Sequence, residues 1–276
     1  MKISSFSKAA LLAAVFCASF LVSCKKSPQK PTAPAIDSLK VGLIAYYTFD
    51  NTGADSSGNK NDGTIYDISS VTDRFGHANG AYSFNGTSSY ISVPDNQSLR
   101  LNNTDFTLNA WIKTNAYNSS NLESILTKRI YGLNEGWLFG LLGYAGTPTG
   151  VIPTGGIDFG PGGSGSINSF GTTAVSLNEW HMLTVVYTLS KLQTDIYIDG
   201  AQIGTVTGTI DNTNFIASTT GVITPNGSIS SLMYIGRDDP SSPYNSYYFN
   251  GLMDDIRIFS RAISKNQILQ LFTAKN

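Results

Sequence analysis

The sequence predicts an all-β protein, a two-sheet antiparallel jelly-roll sandwich with a short C-terminal helix. Three observations carry this prediction. Only 13% of the 276 residues are charged, whereas glycine (27), tyrosine (14) and phenylalanine (14) are abundant, which is typical of short strands joined by many turns. Tight-turn signals such as Asn85-Gly86 and Asp199-Gly200 separate these apolar segments. Almost no segment has a helical period, so the core must form between two sheets.

The strand signals follow one another from Leu43 to the C-terminus. We expect strands over 43–49, 81–84, 90–93, 106–114, 124–129, 136–142, 180–188, 194–199, 232–235 and 252–259. Ser264 is the expected N-cap of the terminal helix, because Ile268, Leu269, Leu271 and Phe272 after it cluster on one side of a helix. Two long stretches, 143–171 and 208–231, interrupt the strand pattern and are read as functional loops or tolerated insertions.

Charge and composition exclude several classes of protein. With 41% hydrophobic residues and a net charge of −1, the chain is not disordered. Five of the 18 basic residues precede Ile36, which leaves 13 against all 19 acidic residues and a net charge of −6 for the rest. An acidic body of this kind has no basic face for nucleic acid, and it favours metal cations or neutral ligands over polyanions.

The first forty residues are expected to direct and anchor the protein. Lys2 and Lys8 precede an apolar run that is too short to span a membrane. The run ends in Leu-Val-Ser-Cys24, which resembles the bacterial lipobox. We therefore expect a signal peptide over 1–23, lipidation of Cys24 and a proline- and lysine-rich tether over 24–40, followed by one domain over 41–276. The predicted location is the bacterial outer membrane, on its periplasmic or cell-surface face. An ordinary secretory signal is the alternative.

One carboxylate in the last predicted strand needs a partner. Strict alternation places Asp254 on the same face as Leu252, Ile256 and Ile258, among core-facing side chains. A buried carboxylate is costly unless it is paired or binds a metal. By the same alternation, Asp255 and Arg257 face the other way.

A series of motifs recurs in order along the domain. The main ones are Leu43–Asp50 (LIAYYTFD), Gly80–Gly86 (GAYSFNG), Phe106–Lys113 (FTLNAWIK), Glu179–Tyr187 (EWHMLTVVY), Ile196–Gly200 (IYIDG) and Gly251–Phe259 (GLMDDIRIF). Together they resemble the laminin-G-like jelly roll of the concanavalin A-like lectin/glucanase superfamily. The resemblance covers 41–272, and the order of the motifs is more specific than any one of them. The superfamily includes lectins, hydrolases and adhesion modules, so the resemblance implies the fold more strongly than the function.

The resemblance also implies a structural calcium ion where the first and last strands meet. The matching positions are Asp50 with its neighbour Asn51, and Asp254. Carboxylate and carbonyl oxygens at this junction would suit Ca²⁺. The alternative is that Asp254 accepts hydrogen bonds from backbone amides or from a basic side chain.

No pattern of acidic residues indicates catalysis. Related glycoside hydrolases need two acidic residues on facing positions, but the chain has only three glutamates. Glu123 and Glu135 lie twelve residues apart, and Glu179 sits in a turn. His181 is best interpreted as a semi-buried, hydrogen-bonded histidine.

A ligand site is expected in the polar segment that follows the strand at 232–235. Sugar binding favours flat aromatic faces beside polar groups that bond hydroxyls. Trp111 is a further candidate, because it alternates away from Phe106, Leu108, Ala110 and Ile112. The candidate residues in the segment are Arg237, Asp238, Asp239, Tyr244, Asn245, Tyr247 and Tyr248. The alternative is a loop whose tyrosines pack back on the sandwich.

Together these features predict a monomeric, lipid-anchored, non-catalytic domain that binds a glycan or another surface ligand. A glycoside hydrolase or lyase of the same superfamily and a structural protein–protein adhesion module are the two alternatives.

Overall fold

The computed structural model describes residues 37–101, 104–118, 122–130, 135–143, 153–161, 173–207, 232–242 and 247–274. From Asp37 onward the chain forms one compact unit of fourteen strands and one α-helix among these residues. The predicted signal peptide, Cys24 and most of the tether lie outside the described residues. In the part of the chain that is described, no helix is long and apolar enough to cross a membrane.

Two antiparallel sheets make up the sandwich. The eight-stranded sheet has the order β12-β11-β10-β6-β14-β4-β3, and β1 also pairs with β14; the six-stranded sheet has the order β2-β5-β13-β7-β8-β9. The strands are β1 (Leu43–Tyr47), β2 (Thr64–Tyr66), β3 (Ser69–Val71), β4 (Ala81–Asn85), β5 (Tyr90–Val93), β6 (Phe106–Thr114), β7 (Leu122–Ile130), β8 (Glu135–Leu142), β9 (Ile157–Pro161), β10 (His181–Thr188), β11 (Gln193–Ile198), β12 (Ala201–Thr207), β13 (Met233–Ile235) and β14 (Asn250–Phe259).

The main core lies between the sheets and follows the predicted alternation. On β6, Phe106, Leu108, Ala110 and Ile112 all point into it. Trp137 on β8 is fully buried there, and its indole nitrogen donates to the carbonyl of Leu99 at 3.2 Å. The prediction of an all-β sandwich with one terminal helix is confirmed. Part of the stretch 143–171 forms the edge strand β9, which was not predicted.

The helix α1 (Lys265–Thr273) covers the outer face of the eight-stranded sheet. Ser264 caps it as predicted, in a capping box with Gln267. Its buried residues Ile268 and Leu271 join a second apolar cluster with Trp111 and Met182 from the sheet below. The helix therefore covers the part of this outer face that carries Trp111 and Met182.

A β-bulge in β14 corrects the predicted facing of Asp254. Two residues of β14 lie between Asp254 and Arg257, whereas a single residue of β6 lies between their partners Trp111 and Asn109. Asp255 takes a left-handed backbone conformation at φ 48°, and the extra residue reverses the alternation. Met253 before the bulge and Ile256 after it both point into the main core. Asp254 and Asp255 are thereby turned to the other face.

Candidate functional site

The outer face of the six-stranded sheet carries a group of tyrosines. Ile91 and Val93 of β5 point into the core. Tyr90, the residue before Ile91, therefore points outward. On β13, Met233 and Ile235 are core residues, and Tyr234 between them points outward for the same reason. Tyr66 on the edge strand β2 pairs directly with Tyr90. The alternation of two strands and one cross-strand pair thus bring three phenol rings to one surface.

We name this group, with Tyr248 and Arg237, the tyrosine platform. The rings of Tyr66 and Tyr90 stack with centroids 4.4 Å apart and an angle of 11° between their planes. Tyr234 meets Tyr90 edge-on at 6.1 Å, and Tyr248 lies 6.4 Å from Tyr90. Tyr66 is 41% exposed and ends the stack. The platform therefore offers solvent one well-supported aromatic ring.

Arg237 fills the space among three of these rings. Its guanidinium carbon lies 4.7, 5.3 and 5.1 Å from the ring centroids of Tyr90, Tyr234 and Tyr248. Its Nε donates to the carbonyl of Asp238 at 2.9 Å, and the residue is only 8% exposed. Cation–π contacts of this kind are worth more when the cation is desolvated. Arg237 thus packs against three tyrosine rings and stabilises their positions.

The two carboxylates of the segment point into the protein. Asp238 is fully buried and accepts a hydrogen bond from Nε of Arg129 at 2.9 Å, together with a second bond from the same guanidinium. Asp239 accepts a hydrogen bond from the backbone amide of Ser241 at 2.6 Å and is also buried. Both carboxylates therefore help to fold the segment, and their role as direct ligand contacts stays a prediction.

The remaining residues of the predicted segment have different positions. Tyr248, one of the predicted ligand residues, belongs to the platform. Tyr247 packs against an apolar cluster of Leu122, Leu138 and Leu142. Tyr244 and Asn245 lie outside the described residues. Tyr66, Tyr90 and Tyr234 were not predicted as site residues, although alternation around Ile91 and Ile235 was a usable signal for the last two.

Burial raises the pKa of Tyr234, against the lowering effect of nearby Arg237. A tyrosine hydroxyl is already protonated at neutral pH, and a raised pKa keeps it so. Tyr234 is only 8% exposed, so this neutral phenol is largely buried within the platform.

Trp111, the second predicted ligand residue, is packed within the domain, and its role in ligand binding stays a prediction. It does lie on the face opposite to Ala110 and Ile112, as the alternation predicted. However, its ring stacks on Phe272 of α1 at 5.8 Å, and the guanidinium of Arg74 lies 4.6 Å above it. With 7% of its surface exposed, Trp111 anchors the helix.

The carboxylate of Asp254 has the basic partner that the sequence analysis left open. The Arg74 guanidinium bridges Asp254 and Asp255, and both carboxylates are buried. Asp255 also accepts a hydrogen bond from the Tyr46 hydroxyl at 2.6 Å and lies 3.2 Å from Arg257. Burial and the neighbouring Asp255 raise the pKa of Asp254 to about 7. Although burial opposes it, Arg257 and Arg74 hold the pKa of Asp255 below its usual value.

The other two predicted calcium ligands lie near the end of β1. Asp50 and Asn51 are both exposed, and Asn51 accepts a hydrogen bond from the Ser70 hydroxyl at 2.8 Å. In the described ranges, no group of three or more His, Cys, Asp or Glu residues is arranged to hold a metal ion. Calcium at Asp50, Asn51 and Asp254 stays a prediction, and the Arg74 bridge already neutralises Asp254 without it.

Two polar groups have the residue types that catalysis uses. Burial raises the pKa of Glu123 to about 7, but its oxygens accept from the Asn118 amide at 2.8 Å and the Thr114 hydroxyl at 3.3 Å, and no acidic neighbour contributes to the shift. A glycosidase would instead need a second carboxylate beside it.

The second group is a hydrogen-bonded chain centred on His181. Its Nδ1 lies 2.7 Å from Asp199, and its Nε2 lies 2.6 Å from the Ser176 hydroxyl. The bond to Asp199 raises the pKa of His181, and the Ser176 hydroxyl donates to Glu179 at 2.7 Å. A hydroxyl whose proton is directed to Glu179 is not activated by the imidazole, so the chain fastens the start of β10 to the β11–β12 turn. This agrees with the hydrogen-bonded histidine that the sequence predicted.

Comparisons with known proteins place this fold. A laminin-G family model, described as the concanavalin A-like lectin/glucanases superfamily, matches residues 85–269. The chain belongs to this superfamily. The predicted family and jelly-roll class are thus confirmed. A search of curated protein sequences found no match.

Solved structures of the superfamily resemble the domain at low identity. One is domain 4 of AbnA, a GH43 extracellular arabinanase from Geobacillus stearothermophilus, in complex with arabinotriose: 19% identity, TM-score 0.59, 84% of this chain and 98% of that one. Another is the binding domain of Paraclostridial mosquitocidal protein 1, with 18% identity and a TM-score of 0.61; the match covers 85% of this chain and 52% of that one. A third is the binding domain of botulinum neurotoxin DC in complex with SialylT, with 16% identity and a TM-score of 0.58; the match covers 85% of this chain and 52% of that one. The chain spans about half the length of these toxin domains. At these identities the likeness shows the fold alone, and the fold has carbohydrate-binding members.

Proposed function

We propose that this chain is a non-catalytic carbohydrate-binding domain whose ligand contacts the tyrosine platform. The observation that carries the proposal is the exposed ring of Tyr66, which is stacked on Tyr90 and backed by the buried Arg237. A sugar ring presents a C–H-rich face that packs well on an aromatic ring, and a ring already held in place loses little entropy on binding. The jelly-roll neighbours solved with arabinotriose and SialylT support the same class of ligand.

The test is a glycan array followed by calorimetry with Tyr66→Ala. Loss of the exposed stacking face should weaken binding roughly tenfold, since an aromatic stacking contact is worth about 0.5–1.5 kcal/mol beyond its burial. Leu269→Ala is the matched control, because it removes an equally exposed apolar side chain from α1 on the other sheet. Equal affinity for the wild type and both variants would remove the platform from the binding site.

Other outcomes of the same experiment distinguish the alternatives. New reducing ends in a bound oligosaccharide would support the glycoside hydrolase or lyase. Binding of a protein partner through Tyr66 with no glycan bound would support the adhesion module, since tyrosine and arginine also concentrate at protein interfaces.

We also propose that the domain is tethered to a bacterial envelope membrane through lipid on Cys24. The lipobox-like Leu-Val-Ser-Cys24 and the proline- and lysine-rich segment after it support this proposal. Expression of the full chain with Cys24→Ala should move the protein from the membrane fraction to the soluble fraction. If the variant stays in the membrane fraction, the anchor is not on this cysteine.

A further inference from the structure

We infer that the tyrosine platform takes neutral oligosaccharides and discriminates against uronate-, sialate- or sulfate-bearing ones. The inference rests on the proposed carbohydrate-binding function and names the class of sugar. It follows from where the charges around the platform are placed and what they already bind.

Both arginines beside the platform are engaged within the protein. Recognition of a carboxylate or sulfate usually relies on a guanidinium fork that presents its N–H groups to the ligand. The flat faces of Arg237 are taken by tyrosine rings, and its Nε is taken by the Asp238 carbonyl. Arg129 forms two hydrogen bonds to the buried carboxylate of Asp238, at 2.9 and 2.5 Å. An anionic sugar that used Arg129 would have to break its pair with Asp238 and leave that carboxylate buried without its cation, and Arg237 is only 8% exposed.

The exposed residue that follows Tyr66 in the chain carries a negative charge. Asp67 follows Tyr66 directly, is exposed, and holds a left-handed turn at φ 50°. Its backbone carbonyl accepts a hydrogen bond from the Ser89 hydroxyl, which fixes the turn. A carboxylate at this place accepts hydrogen bonds from sugar hydroxyls and repels sugar carboxylates.

The charge of the whole domain acts in the same direction. From Ile36 onward the net charge is −6, with 13 basic and 19 acidic residues. This field lowers the local concentration of polyanionic glycans and leaves neutral ones unaffected. Stacking on neutral phenols, a hydroxyl-accepting carboxylate and an acidic field together select a neutral, hydroxyl-rich ligand.

The experiment compares ligands that differ only in charge, using the mature chain from Cys24. Two matched pairs of oligosaccharides are titrated: methyl-esterified against free oligogalacturonides, and desulfated against sulfated galactans of equal length. The neutral member of a pair should bind at least tenfold more tightly than its anionic counterpart at 50 mM NaCl. Its affinity should change less than twofold at 500 mM NaCl, because no counterion is displaced. A broad neutral glycan array accompanies the titrations, so that binding does not depend on these two backbones.

The outcomes separate this inference from the proposed function. Tighter binding of an anionic member that weakens with salt and still requires Tyr66 would overturn the charge inference and leave the platform as the binding site. Absence of binding to every glycan, neutral or anionic, would overturn the proposed function and this inference with it. Asp67→Lys provides an independent check, because reversing the exposed charge should raise the affinity of the anionic member several-fold.

Discussion

Replacing Arg74 with alanine tests how much the buried ion pairs of Arg74 with Asp254 and Asp255 stabilise the domain. Arg74 is 5% exposed, bridges Asp254 and Asp255, and packs its guanidinium 4.6 Å above the Trp111 ring. In Arg74→Ala, Asp254 keeps no ion-pair partner among the described residues, whereas Asp255 still contacts Arg257. Removing one member of a buried ion pair costs about 3–5 kcal/mol, because the other charge stays buried without compensation.

The loss is measured by equilibrium urea unfolding followed by tryptophan fluorescence. A decrease of about 3–5 kcal/mol corresponds to a drop of roughly 10 °C in the melting temperature of a domain of this size. The destabilisation should shrink from pH 8 to pH 5. The pKa of Asp254 already lies at about 7 and rises further without Arg74, so the folded variant takes up a proton that relieves the buried charge.

Two further variants make this prediction sharp. Arg74→Met combined with Asp254→Asn removes both charges and should recover much of the lost stability. Arg100→Ala is the control, because Asp95 retains Lys128 at 2.6 Å when Arg100 is removed, so a much smaller loss is expected. If the free energy of unfolding of Arg74→Ala falls by less than about 1 kcal/mol at pH 8, the ion pairs of Arg74 with Asp254 and Asp255 do not stabilise the fold as argued.

Three more predictions concern the rest of the domain. Because the folded state holds the Glu123 proton more tightly than the unfolded chain, the contribution of Glu123 to stability should fall by up to about 3 kcal/mol as pH rises from about 4.5 to 7; an equal pH slope in the wild type and in Glu123→Gln would contradict this. Gly236→Ala places a Cβ 2.4 Å from Phe84 ring carbons at φ +84°, so chemical denaturation should show a loss of about 2–4 kcal/mol, and an unchanged midpoint would refute it. Bound calcium at Asp50 and Asp254 should make the melting temperature fall in EDTA; an unchanged value counts against that site.

The strand pattern predicted the main core but not the bulge, which determines the face of the sheet on which Asp254 lies. Alternation succeeds at Phe106 to Ile112 because every second residue of β6 faces the opposite sheet. In β14 one extra residue at Asp255 reverses the two faces. Nothing in the local pattern announces such an insertion. Asp adopts the left-handed conformation in many ordinary turns, so its presence does not mark a bulge. Only the pairing with β6 reveals that two residues oppose one.

The tyrosine platform shows the same division between local and non-local information. The outward facing of Tyr90 and Tyr234 follows from their core neighbours, so it was available from local alternation. The stack of Tyr66 on Tyr90 depends on β2 pairing with β5, and Arg237 joins them only because β13 lies beside β5. These pairings are set by sheet topology rather than by any local pattern. The segment around Arg237 was therefore identified, but its burial and its partners were not.

The two outer faces of the sandwich explain why aromatic residue type alone is a poor guide to the site. On the eight-stranded sheet, Trp111 is the larger aromatic, yet Phe272 and Arg74 both pack against its ring and leave it 7% exposed. On the six-stranded sheet, the platform leaves Tyr66 open while Arg237 supports the rings behind it. In both places an arginine packs on aromatic rings. At Trp111 the charge of the arginine is bound by two buried aspartates, and the ring is only 7% exposed. At the platform the arginine is itself buried among the rings while Tyr66 stays 41% exposed, so an aromatic ring is available to a ligand.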